Sequence, residues 1–402
     1  MLTVKTSFEA EKLIKENFGK VSVTVETVEL LSALDRILAE DVLSTEDVPG
    51  FNRSTVDGFA VKASDTFGCS DSVPAILDFK GEVLMGEAPK FSIEKNECAY
   101  VPTGGELPAG ADAMVMLEFS EDYGDGTRAL LKPSAPGQHV TFKGDDVKVG
   151  QKVLSSGTKL KARHIAALAS LGYSSVKVYK KLKVAVISTG DELVDVTKTP
   201  VGAQVRDINS YELCAALLEL GCDVTKVGIV VDDLTLLETK VKEAVASNDL
   251  VLVSGGSSVG VKDATFKVYD KLGEVLFHGI AIKPGKPTIF ASIENTPCFG
   301  LPGHPLAAFY IFDLFVKPLV ITMSGQETGI NLVKTAKVSL SIPCNHGREE
   351  CVGVRFIDEH TVEPIFTKSG LISTLSNIDG YIRIGRDCEG ISQGDEVEVL
   401  LF

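Results

Sequence analysis

The sequence contains no C-x-x-C pair. Its eight cysteines (Cys69, Cys98, Cys214, Cys222, Cys298, Cys344, Cys351 and Cys388) are scattered along the chain. That spacing excludes the common zinc and dithiol redox motifs and reads as reduced, cytosolic thiols. A dense Lys/Arg run is also missing. With a formal net charge of −15, the chain lacks the basic face that neutralises phosphates, so no nucleic-acid partner is expected. No stretch approaches the roughly 20 consecutive apolar residues that span a bilayer. Met1 to Lys20 mixes apolar residues with Lys and Glu at helical spacing where a signal peptide would have an uninterrupted apolar segment. The expectation is a cytoplasmic protein with no membrane contact. The G-x-G-x-x-G fingerprint does not open the first strand–helix unit, which argues against a nicotinamide-dependent reductase. No internal repeat or low-complexity linker appears, so the lobes should be joined by short ordered connections.

What is present is an ordinary globular composition, 44% apolar and 24% charged over 402 residues. That length exceeds what one core fills, and several domains are expected. Apolar residues recur every three or four positions from Ser7 to Asn17 and from Val28 to Ala39, predicting two opening helices. Between about Val48 and Gly150 short apolar runs such as Glu82 to Gly86 and Ala113 to Leu117 alternate with Gly, Pro and Asp, predicting a β-rich lobe. Helical spacing returns from Leu160 to Leu171. Strands at Val184 to Ser188, Asp223 to Val231, Leu250 to Ser254 and Val275 to Ile282 then alternate with helices at Ser210 to Leu220, Leu234 to Ala246, Ala264 to Lys271 and Leu306 to Met323. This pattern predicts an α/β domain with a parallel sheet. From Val333 to Phe402 alternating segments, including Lys337 to Ile342 and Glu396 to Leu401, predict a small β barrel or sandwich. The expected division is 1–45 with 141–180 as an N-terminal helical, linking domain, 46–140 as an inserted β-rich lobe, 181–325 as the α/β domain and 326–402 as the C-terminal domain.

Ligands of open parallel sheets bind beyond the carboxyl ends of the strands. The first such end runs into Thr189-Gly190-Asp191-Glu192, whose carboxylates suit Mg²⁺; the same pair would also suit the first turn of a helix. The third runs into Ser254-Gly255-Gly256-Ser257-Ser258 and on to Asp263, a Gly/Ser loop able to cradle a phosphate, or simply a tight strand-to-helix turn. Ile282 to Pro287 places Lys283 and Lys286 on a proline-stiffened loop suited to an oxyanion. Leu301-Pro302-Gly303-His304-Pro305 opens a helix whose N-terminal dipole suits a further anion. Two turn-rich loops, Pro49 to Ala60 and Val101 to Asp112, carry polar groups among rigid residues.

In this order the stretches resemble the molybdopterin molybdenumtransferase family, which includes the E domain of gephyrin. Ser54 to Ala60 is similar to that family's S-A-M-D-G-Y-A, Thr103 to Asp112 to T-G-x-x-L-P-x-G-A-D and Ser188 to Leu193 to S-T-G-D-E-L. Ser254 to Asp263 is similar to S-G-G-x-S-x-G-x-x-D, Ile282 to Pro287 to I-K-P-G-K-P and Leu301 to Pro305 to L-P-G-N-P. The resemblance covers nearly the whole chain. It implies an elongated multidomain subunit, α/β plus β, with a central three-layer α/β molybdopterin-binding domain, an inserted β lobe and a C-terminal β barrel.

The implied reaction converts adenylated molybdopterin and molybdate, or tungstate, to molybdenum cofactor and AMP with Mg²⁺. Asp57, Thr103, Glu192 and Asp263 would be catalytic. Glu192, Asp232 and Asp263 would ligate the metal, and Thr189, Gly190, Asp191, Ser254, Gly255, Gly256, Ser258, Lys283, Lys286, Pro302 and Gly303 would bind the pterin substrate and oxyanion. A homodimer is implied, with the Asp57 and Thr103 loops of one subunit against the α/β domain of the other, and an adenylyltransferase is a candidate partner. The chain departs from the family in three places. Thr141 to Asp146 keeps only Lys143 of an arginine-rich stretch, His304 stands for Asn, and Asn52 for Asp. Arg355, Ser369 and Ser373 are candidates for contacts across the cleft. The competing readings are a molybdopterin adenylyltransferase, which lacks the flanking lobes, and a non-catalytic binding scaffold.

Overall fold

The computed structural model describes residues 4–255, 264–327, 332–344, 347–366 and 372–402. Two compact units emerge: Met1–Ala39 with Gly157–Lys161 and Ser175–Phe402, and Glu40–Ser156 with Ala162–Ser174.

In the first unit, the strands Lys183–Thr189 and Leu250–Ser254 are buried along nearly their whole length because helices cover both faces of their sheet. Val184, Val186, Leu250 and Leu252 point to one side, against Leu213 and Leu217 of the helix Asn209–Glu219 and against the helical stretch from Pro305 to Met323. Ala185, Ile187, Val251 and Val253 point to the other, against Leu237 and Val241 of Leu234–Ser247 and Val268 of Ala264–Leu272. This gives the expected three layers. The sheet order is Asp223–Val230, Lys183–Thr189, Leu250–Ser254, Thr296–Leu301, Ile289–Ile293 and Glu274–His278. The first three pairings are parallel. The last two are antiparallel, which corrects the expectation of uniform parallel pairing. The strand foreseen from Val275 to Ile282 ends at His278. Ile282–Lys283 instead pairs with Glu349–Glu350 of the next domain.

That next domain is a closed barrel. Val333–Val338, Glu349–Phe356, Thr361–Pro364, Gly380–Ile384 and Glu396–Leu401 form one ring, closed by pairing of Glu349–Phe356 with Gly380–Ile384. Val338, Val354, Val362, Ile382 and Val399 fill it.

Two other expectations are corrected in this unit. Val28 to Ala39 is not a helix. Val25–Glu29 is a strand antiparallel to Ser175–Tyr179, Leu31–Ala33 is a single 3₁₀ turn, and Asp35 has φ 61°. The spacing of apolar residues there reflects a hairpin-like pairing with a distant segment. The second concerns bilayer-length segments. Pro305–Met323 is long and apolar enough to cross a membrane by length and composition, but 67% of it is buried inside the protein. A π turn at Phe312–Val316 interrupts it, and its charges are satisfied internally, with Asp313 paired to Lys317 at 2.6 Å and accepting the Tyr381 hydroxyl at 2.8 Å.

The second unit is built on a six-stranded sheet in the order Ala113–Met116, Gly58–Val61, Glu97–Val101, Ala75–Glu82, Thr127–Leu130 and Ser120–Asp122. Alternation along Phe59-Ala60-Val61 sends Phe59 and Val61 into one cluster with Leu77, Val115 and Leu130, and Ala60 into another with Val101 and Met114. The run Glu82 to Gly86 contributes only its first residue to a strand. All eight cysteines are free, and four of them, Cys98, Cys222, Cys298 and Cys351, are buried.

Candidate functional site

The strands Lys183–Thr189, Leu250–Ser254 and Thr296–Leu301 run parallel and end at one edge, so their following loops converge there. A cleft of about 970 Å³ opens at that edge. Its floor is polar and tied together. The Asn209 side chain, 7% exposed, donates through Nδ2 to Ser254 Oγ at 2.7 Å, Gly303 O at 3.1 Å and Pro302 O at 3.3 Å. Asp207, 2% exposed, accepts from Ser188 Oγ at 2.8 Å and from Ser210 Oγ at 2.5 Å. These bonds fix the strand ends against the start of the helix Asn209–Glu219, and they meet the requirement that buried polar groups be paired.

Two glycines leave no room for a Cβ, one against backbone and one against a side chain. Gly255 has φ +97°, and a Cβ there would lie 2.1 Å from Thr189 O. Gly190 has φ +155°, and a Cβ would lie 2.8 Å from a Glu192 carboxylate oxygen. A side chain at Gly255 would collide with the backbone of the cleft wall, and one at Gly190 would displace the Glu192 carboxylate.

The charges are arranged by sign. Lys283, Lys286, Arg206 and Arg348 line the cleft, with Glu192 and Asp207 among its acids. Lys283 Nζ is 2.5 Å from Glu350 Oε1. Lys286 and Arg348 have no ion-pair partner among the described residues, so their charge faces the cleft. A protein of net charge −15 thus concentrates cations around one concavity. Next to Glu192, Thr189 Oγ1 donates to Asp232 Oδ1 at 3.0 Å, and the Asp232 amide donates to Asp191 Oδ1 at 3.0 Å.

The second unit carries its own polar convergence. Asp57 Oδ1 accepts the Thr103 amide at 2.9 Å, joining the two loops singled out in the sequence. Gly58 beside it is required by packing, because a Cβ would lie 2.1 Å from Val115 O.

The family model for the MoeA N-terminal region (domain I and II) matches residues 6–172, that of a probable molybdopterin binding domain matches 185–322, and that of the MoeA C-terminal region (domain IV) matches 335–402. A molybdopterin molybdenumtransferase of Bacillus subtilis is 31% identical, over 100% of this chain and 96% of its own length. The chain belongs to the molybdopterin molybdenumtransferase family. The Haemophilus influenzae molybdopterin molybdenumtransferase is 39% identical over 75% of this chain and 74% of its own. The crystal structure of a molybdopterin biosynthesis MoeA protein from Pyrococcus horikoshii superposes with a TM-score of 0.88 at 38% identity, covering 99% of each chain.

Against this molybdenumtransferase fold the sequence-selected residues divide. Thr189, Glu192, Ser254, Gly255, Lys283, Lys286, Pro302 and Gly303 line the cleft. Gly190, Asp191 and Asp232 sit behind Thr189 and Glu192. Asp57 and Thr103 meet in the other unit. Gly256, Ser258, Asp263 and Ser369 lie outside the described residues. Asp191 and Glu192 do not open a helix; they form a turn leading to Leu193–Val194, paired with Val205–Arg206. Arg355 is paired with Glu363 at 2.8 Å on the barrel, and neither it nor Ser373 lines the cleft.

Sequence reasoning missed Asp207, Asn209, Arg206 and Arg348. For Asp207 a signal existed: an Asp three residues before Ser210 at a helix start, where it accepts the Ser210 amide at 3.2 Å as a capping side chain does. Arg348 had none, because only the pairing of Ile282–Lys283 with Glu349–Glu350 brings that arginine to the cleft.

Proposed function

We propose that this enzyme inserts molybdenum from molybdate, or tungsten from tungstate, into adenylated molybdopterin, releasing AMP. The observation that carries the reading is the convergence of Lys283, Lys286 and Arg348 on one cleft at the carboxyl ends of parallel strands. Family membership supplies the substrate class. An oxyanion and a pyrophosphate both need concentrated positive charge, and arginine adds a planar fork of donors to the lysine point charges.

The chain's own groups divide the work. Lys283, Lys286 and Arg348 bind molybdate or the substrate phosphates. Ser254, Gly255 and the Pro302-Gly303 turn, locked by Asn209, shape the wall against which the pterin phosphate lies. Glu192 and Asp232 are hard oxygen donors that fit Mg²⁺, which takes few protein carboxylates and leaves its other positions to phosphate and water. Asp263 is proposed as a further ligand from the family resemblance. Bound there, Mg²⁺ would offset charge on the phosphoanhydride oxygens. Asp57, positioned by the Thr103 amide, serves the same reaction, with the two loops reaching the cleft of a second subunit in a homodimer. A cytoplasmic location and hand-over from an adenylyltransferase complete the proposal.

The test is to follow AMP release and cofactor formation from adenylated molybdopterin with Mg²⁺ and either oxyanion, in the wild type and Asp57→Ala. Oxyanion-dependent turnover lost in the variant is the expected result. Tight substrate binding without turnover in the wild type would replace catalysis with a carrier role.

A further inference from the structure

Lys283 lines the cleft with its side chain 53% exposed, yet its ammonium is held by Glu350, which does not line the cleft and whose side chain is 15% exposed. The two residues are direct partners in the parallel pairing of Ile282–Lys283 with Glu349–Glu350, so the backbone fixes both ends of the ion pair. The other Glu350 oxygen is also engaged, accepting from Cys344 Sγ at 3.5 Å. A flexible four-carbon stem is thereby anchored from behind. The bond to Glu350 uses one of three ammonium protons, and the other two have no partner among the described residues. Two residues before Glu350, the same barrel segment delivers Arg348 to that cleft.

We propose that Glu350 is a positioning residue for oxyanion capture: it holds the Lys283 ammonium at the cleft wall, so that one barrel segment organises both Lys283 and Arg348. This deepens the proposed function and rests on it. Glu350 does not line the cleft, and each of its carboxylate oxygens is engaged, Oε1 by Lys283 and Oε2 by Cys344. Ordering the lysine before the anion arrives removes a cost of binding, as partners behind a ligating side chain generally do.

The experiment is calorimetric titration of sodium molybdate into the full-length wild type, Glu350→Gln, Glu350→Ala, Lys283→Met and the Lys283→Met/Glu350→Ala double variant, with thermal unfolding of each as a folding control. We expect Glu350→Ala to weaken molybdate roughly tenfold or more, Glu350→Gln to fall between it and the wild type, and Glu350→Ala to have no further effect once Lys283 is methionine. An unchanged Kd in Glu350→Ala, a tighter one, or the same loss in the Lys283→Met background each overturns the role. If Glu350→Ala does not fold, the near-isosteric Glu350→Gln carries the same comparison alone and in the Lys283→Met background. A wild type that neither binds molybdate nor turns over adenylated molybdopterin overturns the functional reading itself, whereas turnover without molybdate binding, or binding insensitive to Glu350, overturns only this inference.

Discussion

Truncating Asn209 to alanine tests whether the cleft floor is held as described. The side-chain amide donates to Ser254 Oγ, Gly303 O and Pro302 O from a position only 7% exposed. Removing it leaves the Gly303 carbonyl without this donor, while Pro302 O keeps a long contact from Ser254 Oγ at 3.5 Å. Gly303 is exposed, so water replaces the donor to its carbonyl, and each of the three exchanged hydrogen bonds costs about 1 kcal/mol. The open cleft readmits some water, so the expected loss is about 2–3 kcal/mol, or roughly 5–8 °C in the transition of this unit. Circular dichroism during heating is the assay of choice, since the chain has no tryptophan to report by fluorescence. Asn209→Asp sharpens the test. It keeps the shape but sets carboxylate oxygens against two carbonyls, so the folded-state pKa of the new acid rises above its unfolded value. The variant's deficit then shrinks as pH falls and the acid gains a proton to donate. A melting temperature of Asn209→Ala within about 1 °C of the wild type, or a deficit in Asn209→Asp that is the same at pH 5 and pH 8, would refute the reasoning.

Gly58→Ala forces a Cβ to 2.1 Å from Val115 O; we expect a loss of about 3 kcal/mol or more in the β-rich unit, read as early unfolding of the Gly58–Val61 and Ala113–Met116 amides in hydrogen exchange. Burial pushes Glu212 up to about 8, and its Oε2 has no hydrogen-bond partner among the described residues. The folded state therefore holds a proton that the unfolded chain has already released above its ordinary value of 4.5. Stability from this group is full at low pH and falls as pH rises towards 8, so Glu212→Gln should gain over the wild type more at pH 8 than at pH 5 in paired thermal melts. Lys286→Met removes a cleft cation that has no ion-pair partner among the described residues and should raise the KM for molybdate roughly tenfold or more, by the loss of a charge-assisted bond of about 1.5–3 kcal/mol, with the melting temperature unchanged.

The α/β sheet was legible because strands buried on both faces cannot alternate: the runs ending at Ser188 and Ser254 are apolar on consecutive residues, and only a covered sheet needs that. The loops after them were legible for a related reason, since glycine marks places where backbone approaches backbone, as at Gly255. Val28 to Ala39 misled because the segment pairs with Ser175–Tyr179, some 150 residues away, and local spacing carries no record of that partner. The antiparallel edge Glu274–His278 was hidden in the same way. Asn209 and Arg348 look unremarkable in sequence because their value comes from what the fold places beside them. Asn209 finds two carbonyls on a turn more than 90 positions later. Arg348 reaches the cleft through one short strand pairing between the α/β domain and the barrel.

The measurement that tests the central claim most directly is a single turnover with enzyme in excess over adenylated molybdopterin, in the presence of Mg²⁺ and molybdate, quantifying AMP released and molybdenum bound to the pterin. The account predicts that the two appear together in a one-to-one ratio, and that both fall together in Lys286→Met. AMP released without molybdenum uptake would make the cleft that of a hydrolase, and would contradict the assignment of its cations to oxyanion capture.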